Sequence, residues 1–192
     1  MLSKKKIKAI KAEYVTVYTD ASYCHYTKTA GWACWIKYGN GEVFEYATHI
    51  EEDVGSSTEA EMKAIFGAMV IVKEFIKPKP RTVILIGTDS QEAINFIQNQ
   101  VNDKQSAKKT VKKEIAKLIH ENRPEDTFLT MRKVRAHSNS EGARSWVNNK
   151  VDAEAKRVMK HYREWKIQNG LAEMPGRKKE LKNEKEIQTN VG

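Results

Sequence analysis

The stretch RTVILIGTD, residues 81–89, is a continuous apolar run that closes on an aspartate. Its β-branched residues and its lack of alternation are typical of a central strand that is covered on both faces. The preceding KPKP, residues 77–80, ends the element before it, because proline lacks the backbone N–H that a helix needs. This one strand predicts a sheet with helices on both sides.

Three segments upstream of this run have strand character. YVTVYTD (14–20), GWACWIKY (31–38) and EVFEYATHI (42–50) follow one another, and GNG separates the last two as a hairpin turn. We expect them to form an antiparallel meander.

The rest of the chain mostly repeats in the helical period. Helices are predicted over residues 56–76, 91–101 and 107–121, a strand over about 127–136, and a last helix from about Trp146. The apolar faces expected for the last two helices are Val111, Ile115, Leu118 and Ile119, and then Val151, Ala155, Val158, Tyr162 and Trp165. Beyond Asn169 the periodic apolar face stops.

Length and composition indicate one domain with tails. The 192 residues, 40% of them hydrophobic, are enough for one ordinary core. We expect a basic N-terminal segment at 1–13, a single domain at 14–168 and a charged tail at 169–192. The two cysteines, Cys24 and Cys34, are expected to be free thiols, since they make neither a disulfide framework nor a zinc site.

The charge favours a polyanionic partner. Lys and Arg outnumber Asp and Glu by 34 to 25, a formal net charge of +9, which points to nucleic acid rather than to a membrane surface. The basic N-terminus lacks a following apolar stretch of signal-peptide length, and no window reaches the length of a membrane span. We therefore expect a cytoplasmic protein, and a monomer, that does not engage membranes.

Three acidic residues have ordinary local explanations. Asp20 ends a strand, where aspartate is a common turn former. Asp89 precedes Glu92 by three residues, as in a helix capping box, so capping and catalysis are equally good interpretations. Asp152 is expected in the first turn of the last helix, with Asn148 or Asn149 as its cap, where the helix dipole favours an acid.

Glu61 lacks so simple an explanation. Its helical neighbours Ile65, Ala68 and Val72 place the carboxylate in line with the core-facing stripe. A buried acid needs a cation, a hydrogen-bond network or a proton, because an unpaired buried charge costs several kcal/mol. Glu59 is the matched contrast: with Ser56 as N-cap it completes the capping box and faces Lys63. The alternative register, with Thr58 as cap, would give that local role to Glu61 instead.

These acids would converge if the first and fourth strands lay side by side. Two carboxylates at about 4 Å repel by roughly 4 kcal/mol at an effective dielectric near 20, so divalent cations would have to fill the cluster. Hard oxygen ligands favour Mg²⁺ or Mn²⁺, and two such ions can promote phosphodiester hydrolysis.

Four short motifs together resemble one family. YTDAS (18–22), STEAEMKAI (57–65), TDSQ (88–91) and NNKVDAEA (148–155) are similar in order and context to the acidic motifs of type 1 ribonuclease H, and STEAEM is also similar to retroelement ribonuclease H domains. The resemblance covers about residues 14–160. It implies an α/β ribonuclease H-like fold, with a five-stranded mixed sheet flanked by helices in the order β-β-β-α-β-α-β-α.

The resemblance also implies an activity and a set of site residues. The activity is hydrolysis of the RNA strand of an RNA/DNA hybrid by two divalent cations, Mg²⁺ or Mn²⁺, leaving 5′-phosphate and 3′-hydroxyl ends. The implied metal ligands and catalytic carboxylates are Asp20, Glu61, Asp89 and Asp152. His137 matches the family histidine that moves protons or helps product leave, although its spacing to Asp152 is longer than usual.

Further positions match substrate contacts of the family, each with a simpler alternative. Helix capping explains Ser57 and Thr58 equally well, and a solvated face explains the lysines. The implied substrate contacts are Ser57, Thr58, Gln91, Asn148, Lys108, Lys109, Lys112 and Lys113.

Two other functions stay open. A nuclease or strand-transfer enzyme of the same fold, such as a junction resolvase, also uses acidic metal sites. A non-catalytic nucleic-acid binding module is disfavoured, because clustered negative charge facing phosphates weakens binding.

Overall fold

The computed structural model describes residues 13–39, 41–99, 111–134 and 143–173. Its strands are β1 (Tyr14–Cys24), β2 (Thr29–Tyr38), β3 (Glu42–Ile50), β4 (Val83–Thr88) and β5 (Phe128–Lys133). Its helices are α1 (Ser57–Ile71), which continues as a π-helical turn (Val72–Ile76), α2 (Gln91–Asn99), α3 (Val111–Glu121) and α4 (Ala143–Gln168).

The strands form one five-stranded mixed sheet in the order β3-β2-β1-β4-β5. The first three strands pair antiparallel, as the predicted meander requires. Strand β4 pairs parallel with both β1 and β5, so it is an interior strand of the sheet. The predicted fold class is confirmed. The described connection from β4 to β5 contains two helices, α2 and α3, where the predicted element order has one.

The larger core lies between α1 and one face of the sheet. Ile36, Ile84 and Ile86 from the strands and Met62 and Ile65 from α1 are fully buried there. On the opposite face α4 lies over β1, β2 and β3. Val83 and Leu85 on that face of β4 are only half-buried, so the predicted cover of both faces is less complete on this one, because α4 covers the meander side of the sheet.

Helix α4 differs from its prediction at its start and in its buried face. It begins at Ala143 rather than near Trp146. Its buried stripe is Val147, Val151, Ala155 and Met159, whereas Trp165 is exposed. The stripe repeats every four residues and lies along the side of α4 that packs on the sheet.

A glycine lets α4 approach the sheet closely. A Cβ added to Gly31 of β2 would lie 2.5 Å from the backbone nitrogen of Met159 and 2.6 Å from the carbonyl oxygen of Ala155. Both neighbours are backbone atoms, so neither can move aside by changing rotamer. Only glycine fits at this crossing.

Helix α3 also buries a narrower face than predicted. Ile115, Ala116 and Ile119 are buried, whereas Val111 and Leu118 are exposed. The predicted inclusion of Val111 and Leu118 in the apolar face is therefore wrong. Cys24 and Cys34 are buried free thiols, as expected.

Across the described ranges, no helix combines the length and apolar character needed to cross a bilayer.

The end of α4 predicts where the folded domain can be cut. The N–H of Leu171 donates to the Lys166 carbonyl (2.8 Å) and that of Gly170 to the Ile167 carbonyl (3.1 Å), with Gly170 at φ 70°. These two bonds form a Schellman cap. We expect a chain ending after Leu171 to unfold at the same urea midpoint as the full chain, and one ending after Gln168 to unfold earlier. A large loss in the first variant would contradict the proposed domain limit near residue 168.

Candidate functional site

The candidate site lies in a notch between two parallel strands. The pairing of β1 with β4 reaches Tyr18 and Gly87, and β4 ends at Thr88, whereas β1 continues to Cys24. Asp20 stands on β1 just past the last pair, and Asp89 directly follows β4. The carboxyl ends of adjacent parallel strands meet at one edge of a sheet, a common place for ligand sites.

Glu61 reaches this notch from α1. It is 8% exposed and shares its face with the fully buried Ile65 and Ala68, as predicted. The backbone N–H of Ala21 donates to Asp20 Oδ1 (2.8 Å) and to Glu61 Oε1 (3.2 Å). Asp20, Glu61 and Asp89 each offer one carboxylate oxygen, and these three oxygens lie within 4.8 Å of one another.

Ionisation of the cluster is disfavoured when no cation is bound. Burial, and then the charge of Asp89, raise the pKa of Asp20 from 3.8 to about 6. Burial, followed by the charge of Asp20, raises the pKa of Glu61 well above its usual value. Each carboxyl resists ionisation because it is buried and its neighbours are acids.

One buried oxygen of this cluster lacks a partner. Among the described residues, no hydrogen-bond donor reaches Glu61 Oε2. A buried acceptor of this kind is costly unless a cation or a donor satisfies it. Oxygen-only donors with a missing positive partner fit a hard divalent cation.

Asp152 lies close to this cluster without joining the three-oxygen group. Ala33 pairs with Asp20 across the sheet and packs against α4, so Asp20 faces the helix that carries Asp152. The charge of Asp152 contributes to the raised pKa of Asp20. Its own Oδ2 accepts from Lys156 Nζ at 2.7 Å.

The expected local explanation of Asp152 is wrong. Since α4 begins at Ala143, Asp152 lies well inside the helix, and neither Asn148 nor Asn149 is an N-cap. A position inside the helix gains little from the helix dipole, which acts at the first turn.

The local explanation of Asp89 is also wrong. The Ser90 hydroxyl accepts from the Ala93 N–H (3.2 Å), so Ser90 caps α2. The carboxylate of Glu92 turns instead to Thr58 and Lys112. Asp89 is therefore not engaged in the predicted capping box.

Glu59 has the structural role that the sequence predicted. Ser56 caps α1 and accepts from the Glu59 N–H at 3.2 Å. Glu59 Oε2 accepts from Gly55 (3.1 Å), and Oε1 lies 3.2 Å from Lys63 Nζ. The Ser56 register is confirmed, and the register with Thr58 as cap is wrong.

The structure separates the predicted substrate contacts into several environments. Ser57 and Gln91 are exposed, and Gln91 donates to Asn95. Thr58 is buried, and so is Asn148, whose Oδ1 has no partner among the described residues.

The predicted lysine surface is described only in part. Lys112 pairs with Glu92 at 3.0 Å and lies over the Phe96 ring, 5.0 Å from its centroid, and Lys113 is half-buried. His137, Lys108 and Lys109 fall outside the described residues.

Glu92 is the residue near the site whose contacts were not predicted from the sequence. It lies three residues after Asp89, and the sequence predicts only a capping box from this spacing. Its contacts to Thr58 and Lys112 join three helices, and no pattern within one helix indicates such contacts.

Removing the Asp20 charge should stabilise the cation-free protein. The unfolded chain ionises this carboxyl near pH 3.8 and the folded protein only near 6, so stability falls as pH rises between these values. An asparagine side chain at this position cannot ionise and avoids that loss. We expect Asp20→Asn to raise the free energy of unfolding, measured by urea denaturation in EDTA at pH 8, by about 1–3 kcal/mol. The difference should shrink towards pH 4. A pH-independent difference would contradict the raised pKa.

Comparisons with known proteins agree with the fold and the acidic motifs. The family model described as RNase H matches residues 12–160. No curated protein sequence matches the chain.

Solved structures show the same fold at low sequence identity. RNase H1 from the halophilic archaeon Halobacterium salinarum has a TM-score of 0.56 and 17% identity, over 77% of this chain and 98% of that one. LC9-RNase H1, a type 1 RNase H, has a TM-score of 0.58 and 15% identity, over 84% of each chain. LC11-RNase H1 in complex with an RNA/DNA hybrid has a TM-score of 0.51 and 16% identity, over 77% of this chain and 98% of that one. The predicted family resemblance is confirmed.

Proposed function

Since the chain belongs to the RNase H family, we propose that it is an endoribonuclease that hydrolyses the RNA strand of RNA/DNA hybrids, leaving 5′-phosphate and 3′-hydroxyl ends. The observation that carries the proposal is the convergence of Asp20, Glu61 and Asp89 in the notch between β1 and β4. A solved relative bound to an RNA/DNA hybrid supports the choice of substrate.

The residues that would hold two divalent cations, Mg²⁺ or Mn²⁺, are Asp20, Glu61 and Asp89, with Asp152 as a fourth ligand. The unpartnered oxygen of Glu61 and the raised pKa of Asp20 support this assignment. Such ions, when bound, activate a water and stabilise the leaving oxygen of a phosphodiester.

The protein's own groups prepare the site. The Ala21 N–H holds one oxygen of Asp20 and one of Glu61 in place, so the two carboxylates need little reorganisation to face a cation. Lys156 holds Asp152, and its charge offsets one of the acids. In this proposal the basic surface binds the hybrid by shape, and His137 assists proton movement or product release.

A cleavage panel tests the proposal against other nucleases of this fold. Labelled RNA/DNA hybrid, duplex RNA, duplex DNA and a four-way junction are each incubated with Mg²⁺, with Mn²⁺ and with EDTA. We expect cleavage of the hybrid's RNA strand alone, lost in EDTA. Cutting of the junction would favour a resolvase, and tight binding without cutting would favour a binding module.

The cytoplasmic location and the monomeric state stay predictions.

We make a separate prediction about how the lysine surface binds the hybrid. Neutralising the four lysines together should weaken hybrid binding and flatten its salt dependence by about one slope unit for each lysine that contacts a phosphate. The four are Lys108, Lys109, Lys112 and Lys113. Binding is measured in EDTA across a salt series. Lys117→Gln is the control, because it removes one lysine charge from the exposed side of α3 outside the four predicted contacts. If the salt dependence of binding is unchanged in the fourfold variant, these lysines do not contact the hybrid.

A further inference from the structure

Three residues near the acidic positions in the sequence form a hydrogen-bonded bridge. The Thr58 hydroxyl donates to Glu92 Oε2 at 2.5 Å, and Lys112 Nζ donates to Glu92 Oε1 at 3.0 Å. The bridge joins the first turn of α1, the first turn of α2 and the first turn of α3. Thr58 lies one turn before Glu61 on α1, and Glu92 lies in the first turn of α2, three residues after Asp89, so the bridge is close along the chain to two residues of the candidate site.

The direction of the hydrogen bond between Thr58 and Glu92 is set by charge. The donors Thr58 and Lys112 lower the pKa of Glu92, so its carboxyl is ionised and has no proton to give. A hydroxyl has one proton and two lone pairs. With that proton committed to Glu92, the Thr58 oxygen can only accept a hydrogen bond from a ligand.

The surroundings limit which ligand that is. The Glu92 side chain is 58% exposed, and its negative charge beside Thr58 disfavours a phosphate, which is itself an acceptor. A neutral donor fits instead. In a hybrid these donors are the 2′-hydroxyl of RNA and the exocyclic amine of guanine in the minor groove.

We propose that Glu92 is a positioning residue that holds the Thr58 hydroxyl as an acceptor for one 2′-hydroxyl of the RNA strand. The inference rests on the proposed function, because it needs a bound hybrid. A deoxyribose offers no donor at this carbon, so the pair contributes to the choice of RNA over DNA. The residue acts through Thr58 and touches no reacting atom.

Glu92→Gln tests the direction of the hydrogen bond between Thr58 and residue 92 with almost no change in side-chain shape. Lys112 is a donor only, so the oxygen of the introduced amide must face Lys112, and its NH₂ group then faces Thr58. Thr58 would accept from that NH₂ group and turn its own proton outward. An outward proton suits an acceptor-only group such as 2′-fluoro, whereas the native arrangement rejects it.

The experiment compares kcat/KM on hybrids that carry one 2′-fluoro, one 2′-deoxy or one inosine substitution, scanned along the RNA strand. In the unchanged protein we expect at least about a fivefold penalty for 2′-fluoro at one nucleotide, the size of one lost hydrogen bond. Thr58→Val should abolish that penalty, which identifies the nucleotide. Glu92→Gln should reduce it to less than about twofold there while keeping a 2′-deoxy penalty. Glu121→Gln, a charge-matched control on α3, should leave it unchanged.

Several results would overturn the inference. They are a 2′-fluoro penalty retained in Glu92→Gln, no nucleotide whose penalty Thr58→Val abolishes, or sensitivity to inosine alone. Failure of the unchanged protein to cleave any hybrid would instead refute the proposed function. A purely structural role of Glu92 would change all substrates alike and leave the 2′-fluoro ratio intact.

Discussion

Replacing Glu61 by Gln is expected to reduce metal-dependent hybrid cleavage by orders of magnitude, whereas replacing Glu59 by Gln leaves it near normal. Rotation of about 100° per residue puts the two side chains on opposite sides of α1. Glu61 meets Asp20 and Asp89 in the notch, and Glu59 meets Gly55 and Lys63. The pair of variants removes the same charge from the same turn, so only position differs.

Two measurements separate catalysis from folding in this comparison. Initial cleavage rates are measured with Mg²⁺ and with Mn²⁺, and urea unfolding is measured in EDTA. Glu59→Gln should cost at most about 1 kcal/mol, the scale of a weakened helix cap. Glu61→Gln should not destabilise the cation-free protein, since it removes an acid from a crowded cluster. The reverse pattern of activity would refute the assignment of Glu61 as a ligand.

Gly31→Ala is expected to destabilise the protein more than any other single methyl group added to the sheet. The added Cβ would lie 2.5 Å from the Met159 nitrogen and 2.6 Å from the Ala155 oxygen, so α4 must move away from β2. Overpacking against backbone costs about 3 kcal/mol or more, which corresponds to a fall in Tm of roughly 6–12 °C in a chain of this size. Because α4 also carries Asp152, we expect hybrid cleavage to fall as well.

Gly55→Ala is the matched control for that prediction. Its Cβ would meet only the carboxylate oxygen of Glu59, at 3.0 Å, and a flexible side chain can yield. We expect a loss below about 1 kcal/mol. Equal Tm values for the two alanine variants, measured by thermal unfolding, would show that α4 has room to move.

Much of the fold could be predicted because apolar periodicity reports burial. The apolar run before Asp89 predicted a sheet interior, and β4 pairs with a neighbouring strand on each side. The stripe of Glu61 with Ile65 and Ala68 predicted a carboxylate directed at the core. Both predictions depend only on residues within one element, and such local patterns are visible in a sequence.

The errors arose where contacts between elements decide the outcome. Ser90 and Asp89 are both good capping residues, and no local rule chooses between them. Helix α4 begins at Ala143 in a polar stretch, which periodicity cannot distinguish from a loop. The need for glycine at position 31 and the bridge through Glu92 depend on the approach of distant segments, which has no signature in the local sequence.

The notch between β1 and β4 also constrains how the protein can fold. These strands are parallel, so the chain between them must cross over, and their pairing has a high contact order. A folding intermediate with only the β1–β2–β3 hairpins would hold Asp20 but neither Glu61 nor Asp89 at the site. A divalent cation would then recognise only the finished structure. A bound cation should therefore slow unfolding without accelerating folding. The metal site would stabilise the completed fold and would take no part in the folding nucleus.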